Sequence, residues 1–202
     1  MKTAALEVYG IIPASGFSRR MGSQKLLLHW RNKALLEHVL ETANQSALTG
    51  VFTVVPSEDI ERKRIAGHTG SHIVLNPKPE LGIGFSIALG LSRIPDSADA
   101  VMILLGDQPE LQLEDVERVL SCFAKNGQSS KVIIQTRYAD RKSGHPILFS
   151  KEFFPELSRL EGDRGGKQMI QTHLPYVIYA DSQNLYPPDI DTKSEYERLL
   201  DR

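Results

Sequence analysis

The sequence has a single cysteine, Cys122, so no intrachain disulfide can form, as suits a reducing compartment. It has no surplus of charge of either sign. The net charge is −1 over 202 residues, whereas a protein that grips nucleic-acid phosphates usually carries a basic excess, so nucleic acid is not an expected partner. No long hydrophobic run occurs. The longest, Ala100 to Leu105, falls far short of the ~20 residues needed to span a bilayer, so no membrane partner is expected. Met1 to Val8 carries Lys2 and Glu7 without a long apolar stretch, which reads against a signal peptide and toward a cytoplasmic location. There is no H-E-x-x-H and no His/Cys cluster, only scattered histidines, which argues against a structural zinc site. No Gly-x-Ser-x-Gly elbow is present, so serine hydrolase chemistry has no support. Repeats and low-complexity segments are absent too. What remains is ordinary globular material, 41% hydrophobic and 24% charged. It is large enough for a self-sufficient core and of a length that suits one domain over residues 1–202.

Apolar runs of strand length alternate with segments of helical period. Val8 to Ile12, Val51 to Val55, Ile73 to Leu75, Val101 to Leu105, Val132 to Ile134 and Tyr176 to Tyr179 read as strands. Pro146 to Phe149 reads as an edge strand, since a proline at its start cannot donate to a ladder. Helices are expected from Leu35, from Glu58 with Ser57 as its cap, over Gly84 to Leu91, over Leu113 to Ala124, around Phe153 to Leu160 and Gly165 to Thr172, and over Ser194 to Leu200. Cys122, beside the apolar stripe of its helix, and Trp30 read as packing residues. The alternation predicts an α/β fold, Rossmann-like, with a mostly parallel sheet covered by helices on both faces. Ligands of such sheets bind beyond the carboxyl ends of the strands, which directs attention to the loops after Ile12, Leu75 and Leu105.

The first of these loops runs Ala14-Ser15-Gly16-Phe17-Ser18-Arg19-Arg20-Met21-Gly22-Ser23-Gln24-Lys25. Its small residues let the backbone approach a ligand, and Gly16 and Gly22 permit tight turns. Backbone N–H groups there can cradle phosphate oxygens while Arg19, Arg20 and Lys25 neutralise them. On composition alone a solvated basic turn fits equally well. The loop matches neither G-x-G-x-x-G nor the P-loop, so a dinucleotide-binding dehydrogenase and a P-loop kinase are both disfavoured. After the last of these strands, Leu105-Gly106-Asp107-Gln108-Pro109 places a carboxylate where a buried strand opens to solvent. Asp107 there can hold Mg2+, a hard ion that prefers oxygen ligands, or can simply cap the next turn.

The loop resembles the signature L-A-A-G-x-S-x-R-M-G-x-x-K of the MobA-like nucleotidyltransferases. The matching positions are Ala14, Gly16, Ser18, Arg20, Met21, Gly22 and Lys25, with Pro13 in place of Leu and Ser15 in place of the second Ala. Asn76-Pro77 with Gly82 and Ser86 resembles the family's nucleotide-covering segment, although its aromatic is missing at Pro79. Gly106-Asp107-Gln108-Pro109 matches its D-Q-P element, and Asp189 to Tyr196 resembles its D-I-D-T-P-E-D-Y ending. Ser143 to Phe149 is similar to G-H-P-V-L-F, and Leu160 to Lys167 to L-x-G-D-x-G-A-R, with Gly166 and Lys167 replacing Ala and Arg. These last two are most similar to the molybdenum cofactor cytidylyltransferases within the family.

The resemblance spans Ile11 to Tyr196 and implies a division of labour. Lys25 and Arg20 would hold the triphosphate and Asp107 would bind Mg2+, with Asp191 completing the metal site. Capping of the last helix by Asp191 or Thr192 is an equal alternative. Ala14, Ser15, Gly16, Ser18, Arg19, Gly22, Asn76, Gly82 and Ser86 would contact the nucleotide. His145, Pro146, Asp163 and Gly165 would line the acceptor side, although a histidine before proline at a strand entry is as readily structural. The implied reaction is transfer of CMP from CTP to a molybdopterin-type acceptor with release of pyrophosphate. Transient contact with a molybdoenzyme of the xanthine dehydrogenase type would follow. The alternatives are a cytidylyl- or guanylyltransferase acting on another phosphate acceptor, and a non-catalytic carrier of nucleotide or cofactor. The guanylyl branch tends to have Gly where Ser15 stands.

Overall fold

The computed structural model describes residues 6–16, 21, 24–126, 131–162 and 166–202. In chain order the strands are β1 (Val8–Pro13), β2 (His29–Trp30), β3 (Lys33–Ala34), β4 (Gly50–Pro56), β5 (His72–Asn76), β6 (Ala100–Ile103), β7 (Ile133–Arg137), β8 (Ser143–Ser150) and β9 (Val177–Asp181). The α-helices are α1 (Leu35–Gln45), α2 (Ile60–His68), α3 (Gly82–Leu91), α4 (Leu113–Asn126), α5 (Phe154–Leu157), α6 (Gly166–Thr172) and α7 (Lys193–Leu200). β2 and β3 pair as a small antiparallel ribbon.

The other strands form one seven-stranded sheet in the order β5-β4-β1-β6-β8-β7-β9. Every neighbouring pair is parallel except β6–β8 and β8–β7, so β8 alone runs against the rest. The mostly parallel α/β sheet read from the sequence is therefore present. Residue alternation along its strands divides the core in two. Val8 and Ile12 of β1, Val51 and Val55 of β4, and Met102 of β6 pack with Leu36, Val39 and Leu40 of α1, Ile65 of α2 and Val116, Val119 and Phe123 of α4. Ile11, Val54, Val101 and Ile103, one residue out of phase, pack on the opposite face with Ile87 of α3, Leu157 of α5 and Met169 of α6. Both faces are buried, which is why the strands read as unbroken apolar runs.

Two local expectations are corrected. β8 is an interior strand, not an edge. Its pairing with β7 shifts register between Gln135 and Thr136, so that Gln135 faces Ile147 and Thr136 faces Gly144. His145 and Pro146 fall in that shift, and pairing with β6 begins only at Ile147. The missing N–H of Pro146 is not called on by either ladder. The cap of α2 is Asp59, not Ser57: its carboxylate accepts from the Arg62 backbone N–H at 2.8 Å. Among the described residues, no helix is long and apolar enough to cross a membrane.

Candidate active site

From β5 to β1 the strand order steps one way, and from β1 to β6 it reverses. Helices leave opposite faces on either side of such a point and open a crevice beyond the strand ends. A cavity of about 330 Å³ lies there. Ser15 and Gly16 after β1 form one wall, Gly82, Ile83 and Ser86 at the start of α3 another, and Leu105 to Asp107 after β6 the floor.

Lys25 stands at the head of a single 3-10 turn, Lys25–Leu27, whose Leu26 is buried in the core and fixes the turn. Its ammonium lies 2.6 Å from Asp107 Oδ2 and 2.5 Å from Asp191 Oδ1. The Lys25 and Asp107 side chains are only 14% and 18% exposed, against 40% for Asp191. Burial works against the Lys25 charge, but Asp107 and then Asp191 outweigh it, and the lysine pKa is raised. Lys25 is therefore a fixed cation at the mouth of the cavity.

Asp191 arrives from the far end of the chain. Ile190 is buried with Trp30, Leu35 and Leu199, and its N–H donates to the Asp107 carbonyl at 3.0 Å. Immediately after it, Thr192 caps α7: its hydroxyl accepts from Glu195 N–H while the Glu195 carboxylate accepts from Thr192 N–H. The cap is thus supplied by Thr192, and the Asp191 carboxylate meets Lys25 instead.

Gln108, Tyr186 and Asp189 form a hydrogen-bonded group next to Asp107, outside the cavity lining. None of them was singled out by the sequence reading. Gln108 is buried, and its amide donates to Asp189 Oδ1 at 2.8 Å, Pro187 O at 3.1 Å and Tyr186 Oη at 3.3 Å. Burial first, and Asp107 second, push the Asp189 carboxyl up to about 6. Burial and Asp189 push the Tyr186 phenol up to about 12. The signal for Asp189 and Gln108 was present in the D-I-D and D-Q-P motifs that contain them. Tyr186 carried none beyond its proximity to Asp189 in sequence.

The donor set suits a hard divalent cation. Among the described residues Asp107 Oδ1 is buried without a hydrogen-bond partner, while Asp107 Oδ2 and Asp191 Oδ1 already converge on one cation, the Lys25 ammonium. Among the described residues no group of three or more His, Cys, Asp or Glu is arranged to hold a metal. An ion here would take its remaining ligands from phosphate or water, the usual habit of Mg2+.

The other residues named from the sequence fall into three groups. Ser15, Gly16, Gly82 and Ser86 line the cavity with Lys25 and Asp107. Ala14 and Asn76 lie behind its wall: Ala14 N–H donates to Val54 O at 2.8 Å, and the Asn76 amide reaches Ser86 Oγ at 3.2 Å. His145 and Pro146 lie off the cavity, on β8. The His145 carbonyl accepts from Tyr138 Oη at 2.5 Å, and burial pushes its imidazole down to about 4, so the ring is neutral at neutral pH. The preceding Gly144 packs against the Tyr186 ring, which a Cβ would strike. That contact links the β8 motif to the Gln108–Tyr186–Asp189 group. Ser18, Arg19, Arg20, Gly22, Asp163 and Gly165 lie outside the described residues.

The approach to the last of these is described. Gly84 N–H donates to Gly162 O at 2.9 Å, and Gly162 N–H to Leu81 O at 3.0 Å. A Cβ on Gly84 would sit 2.9 Å from the backbone nitrogen of Glu161. The segment that bears the acceptor-side motif is therefore clasped to the start of α3.

The chain is similar over most of its length to known proteins. The chain is 29% identical over 204 residues to the purine catabolism protein PucB of Bacillus subtilis (strain 168), covering 94% of both chains. The crystal structure of Rv0371c from Mycobacterium tuberculosis H37Rv superposes with a TM-score of 0.84 at 27% identity, covering 99% of this chain and 100% of that one. A complex of Rv0371c with manganese gives 0.83 at 26% identity, over 98% and 100%. The CMP:2-keto-3-deoxy-manno-octonic acid synthetase complexed with CTP shares the fold, at a TM-score of 0.78 and 15% identity over 96% and 97% of the two chains. Residues 10–177 match the MobA-like NTP transferase domain, so the chain belongs to that family and is a nucleotidyltransferase.

Proposed function

We propose that this nucleotidyltransferase transfers CMP from CTP to the terminal phosphate of a molybdopterin-type molybdenum cofactor, with Mg2+ and release of pyrophosphate. The observation that carries the reading is the Lys25–Asp107–Asp191 cluster, whose Lys25 and Asp107 line the cavity together with Ser15, Gly16, Gly82 and Ser86. In this reading Ser15 and Gly16 receive the nucleotide, and Lys25, with Arg20, neutralises the triphosphate. Asp107 and Asp191 would hold Mg2+, as two carboxylates that converge on one cation are suited to do, with the buried Asp107 Oδ1 left over among the described residues. Bound there, the ion offsets phosphate charge while the α-phosphorus is attacked. The acceptor's phosphate oxygen forms the new bond to that phosphorus, the bond to the pyrophosphate oxygen breaks, and pyrophosphate leaves. No side chain needs to become a covalent intermediate. The protein's contribution is placement and charge.

Three further observations support the finer points. The Ser15 hydroxyl donates to Val54 O at 3.0 Å, so it is turned back into the sheet. What faces the cavity is then closer to the alanine of the cytidylyl branch than to the glycine of the guanylyl branch. The Bacillus subtilis relative is a purine catabolism protein, and purine oxidation is chemistry that molybdenum hydroxylases perform. The existence of a manganese complex of Rv0371c supports the use of a divalent ion. The same reading has one domain over residues 1–202, a cytoplasmic setting and transient contact with the receiving molybdoenzyme, with His145, Pro146, Asp163 and Gly165 on the acceptor side.

Thermal unfolding with CTP, GTP, ATP or UTP, each with Mg2+, tests the reading. A ligand at 100 times its Kd adds about 2.7 kcal/mol. Selective stabilisation by CTP is expected. Preference for GTP would overturn the choice of base, and no shift with any nucleotide would overturn the catalytic reading in favour of a carrier.

A further inference from the structure

Arg62 is a buried charge for which the reaction as described has no use. It lies on α2, is 3% exposed, and its chain neighbours behave differently. Arg64 pairs with Glu61 in solvent, and Lys63 donates to Ser57 O at 3.0 Å. The Arg62 guanidinium runs under the loop after β1, where Nη1 donates to Ala14 O at 2.8 Å and to Gly16 O at 3.2 Å. Its one carboxylate neighbour among the described residues is Asp59, with Oδ2 3.2 Å from Nε. Burial pulls the guanidinium pKa down, but an arginine keeps its charge at any physiological pH.

These contacts set the direction of the loop backbone. The peptide unit is planar and trans, so its C=O and the following N–H point opposite ways. With Ala14 O drawn down onto Arg62, the Ser15 N–H is turned away from α2, toward the side on which Ser15 and Gly16 line the cavity. Val54 O holds the same stretch from the sheet, accepting from both Ala14 N–H and Ser15 Oγ. The Ala14 and Gly16 carbonyls therefore face inward, and the Ser15 N–H is turned to the cavity, where an anion would meet it. Without Arg62 the buried Ala14 carbonyl and the more exposed Gly16 carbonyl lose this donor, and either peptide could turn an oxygen into the cavity, against the phosphates.

We propose that Arg62 is a positioning residue that fixes the Ala14–Gly16 backbone in the orientation that receives the triphosphate. The inference rests on the nucleotide-binding reading of this cavity. It predicts that Arg62→Met raises the Kd and KM for the nucleoside triphosphate about tenfold while kcat stays within about twofold, because the reacting groups are untouched. Arg62→Lys keeps the charge on a shorter arm and should fall between the two.

The test combines nucleotide titration and steady-state kinetics on the full chain with backbone 15N relaxation at Ser15 and Gly16, followed by NMR without nucleotide. Arg62→Met should lower the order parameters of those two amides and leave Ile11 and Ile12 of β1 unchanged. Unaltered order parameters at Ser15 and Gly16 would overturn the proposal, as would a kcat that falls with no change in KM. If wild-type protein binds no nucleotide, the functional reading fails, and the relaxation measurement alone decides the role of Arg62. If Arg62→Met does not fold, Arg62→Lys decides it: wild-type Kd and order parameters would overturn the proposal, and an intermediate Kd with lowered order parameters would support it.

Discussion

Replacing Asp189 with asparagine should make the protein's stability less sensitive to pH. Asp189 is half-buried beside Asp107, and its carboxyl is raised from an ordinary 3.8 to about 6, by burial first and by Asp107 second. The folded state therefore holds the proton more tightly than the unfolded chain does. Stability from this group is fully present below pH ~4 and is lost as pH rises through about 6. At ~1.36 kcal/mol per pH unit the full effect is at most ~3 kcal/mol, and solvent contact and salt reduce it to ~1–2 kcal/mol. The asparagine of Asp189→Asn cannot ionise, and its side-chain oxygen can still accept from Gln108, which in the wild type donates to Asp189 Oδ1 at 2.8 Å. The variant should already lead wild type slightly at pH 4.5, which is above the unfolded carboxyl's 3.8, and lead by ~1–2 kcal/mol at pH 7.5. For a chain of this size that is about 3–6 °C in Tm. Thermal unfolding of both proteins from pH 4.5 to 8, with EDTA present, measures the difference directly. Parallel curves would refute the argument. So would a wild type that gains on the variant above pH 6, since Lys25 would then dominate the environment of Asp189.

Two other substitutions test the site from different sides. Asp107→Asn keeps the shape of the side chain but removes the carboxylate, so turnover should fall about a hundredfold or more, with Mn2+ binding followed by EPR lost in parallel and Tm nearly unchanged because Asp191 still pairs with Lys25. Near-normal turnover would sink the metal assignment. Gly84→Ala places a Cβ 2.9 Å from the Glu161 nitrogen and 3.0 Å from its carbonyl carbon, backbone atoms that cannot swing aside. It should cost ~1–3 kcal/mol and raise KM for nucleotide and acceptor together, because the clasp joins both segments. A Tm within about 1 °C of wild type would show that the approach is looser than the structure has it.

Much of the sheet was legible because burial on both faces leaves an unbroken apolar signature, as in Val51 to Val55 and Val101 to Ile103. Strand order was not. Nothing local distinguishes an edge strand that starts with proline from an interior strand whose proline sits at a register shift, and Pro146 is the second. Helix starts were uncertain by two residues for a similar reason. Ser57 and Asp59 both have an oxygen that can cap, and only the conformation of the chain after β4 selects Asp59.

The site divides along the same line. Lys25 and Asp107 could be named from the sequence because each lies in a compact motif directly after a strand, where local chemistry and position coincide. Asp191 was ambiguous between ligand and cap, since Asp191 and Thr192 are adjacent and both suit the role. The ambiguity ends only when Ile190, buried against Trp30 and hydrogen-bonded to the Asp107 carbonyl, sets the phase of the segment, giving Thr192 to α7 and Asp191 to Lys25. Arg62 is the extreme case. Arg62, Lys63 and Arg64 are equivalent by composition, on a helix whose charges run all the way round. Which of the three is buried depends on the rotation of α2 against the sheet, a rotation fixed by Ile65 and Ala66 in the core. A side chain that acts through the backbone of another segment leaves no motif of its own, because what it recognises is a pair of carbonyl oxygens that every residue possesses. Such residues are found by asking of each buried charge what it touches.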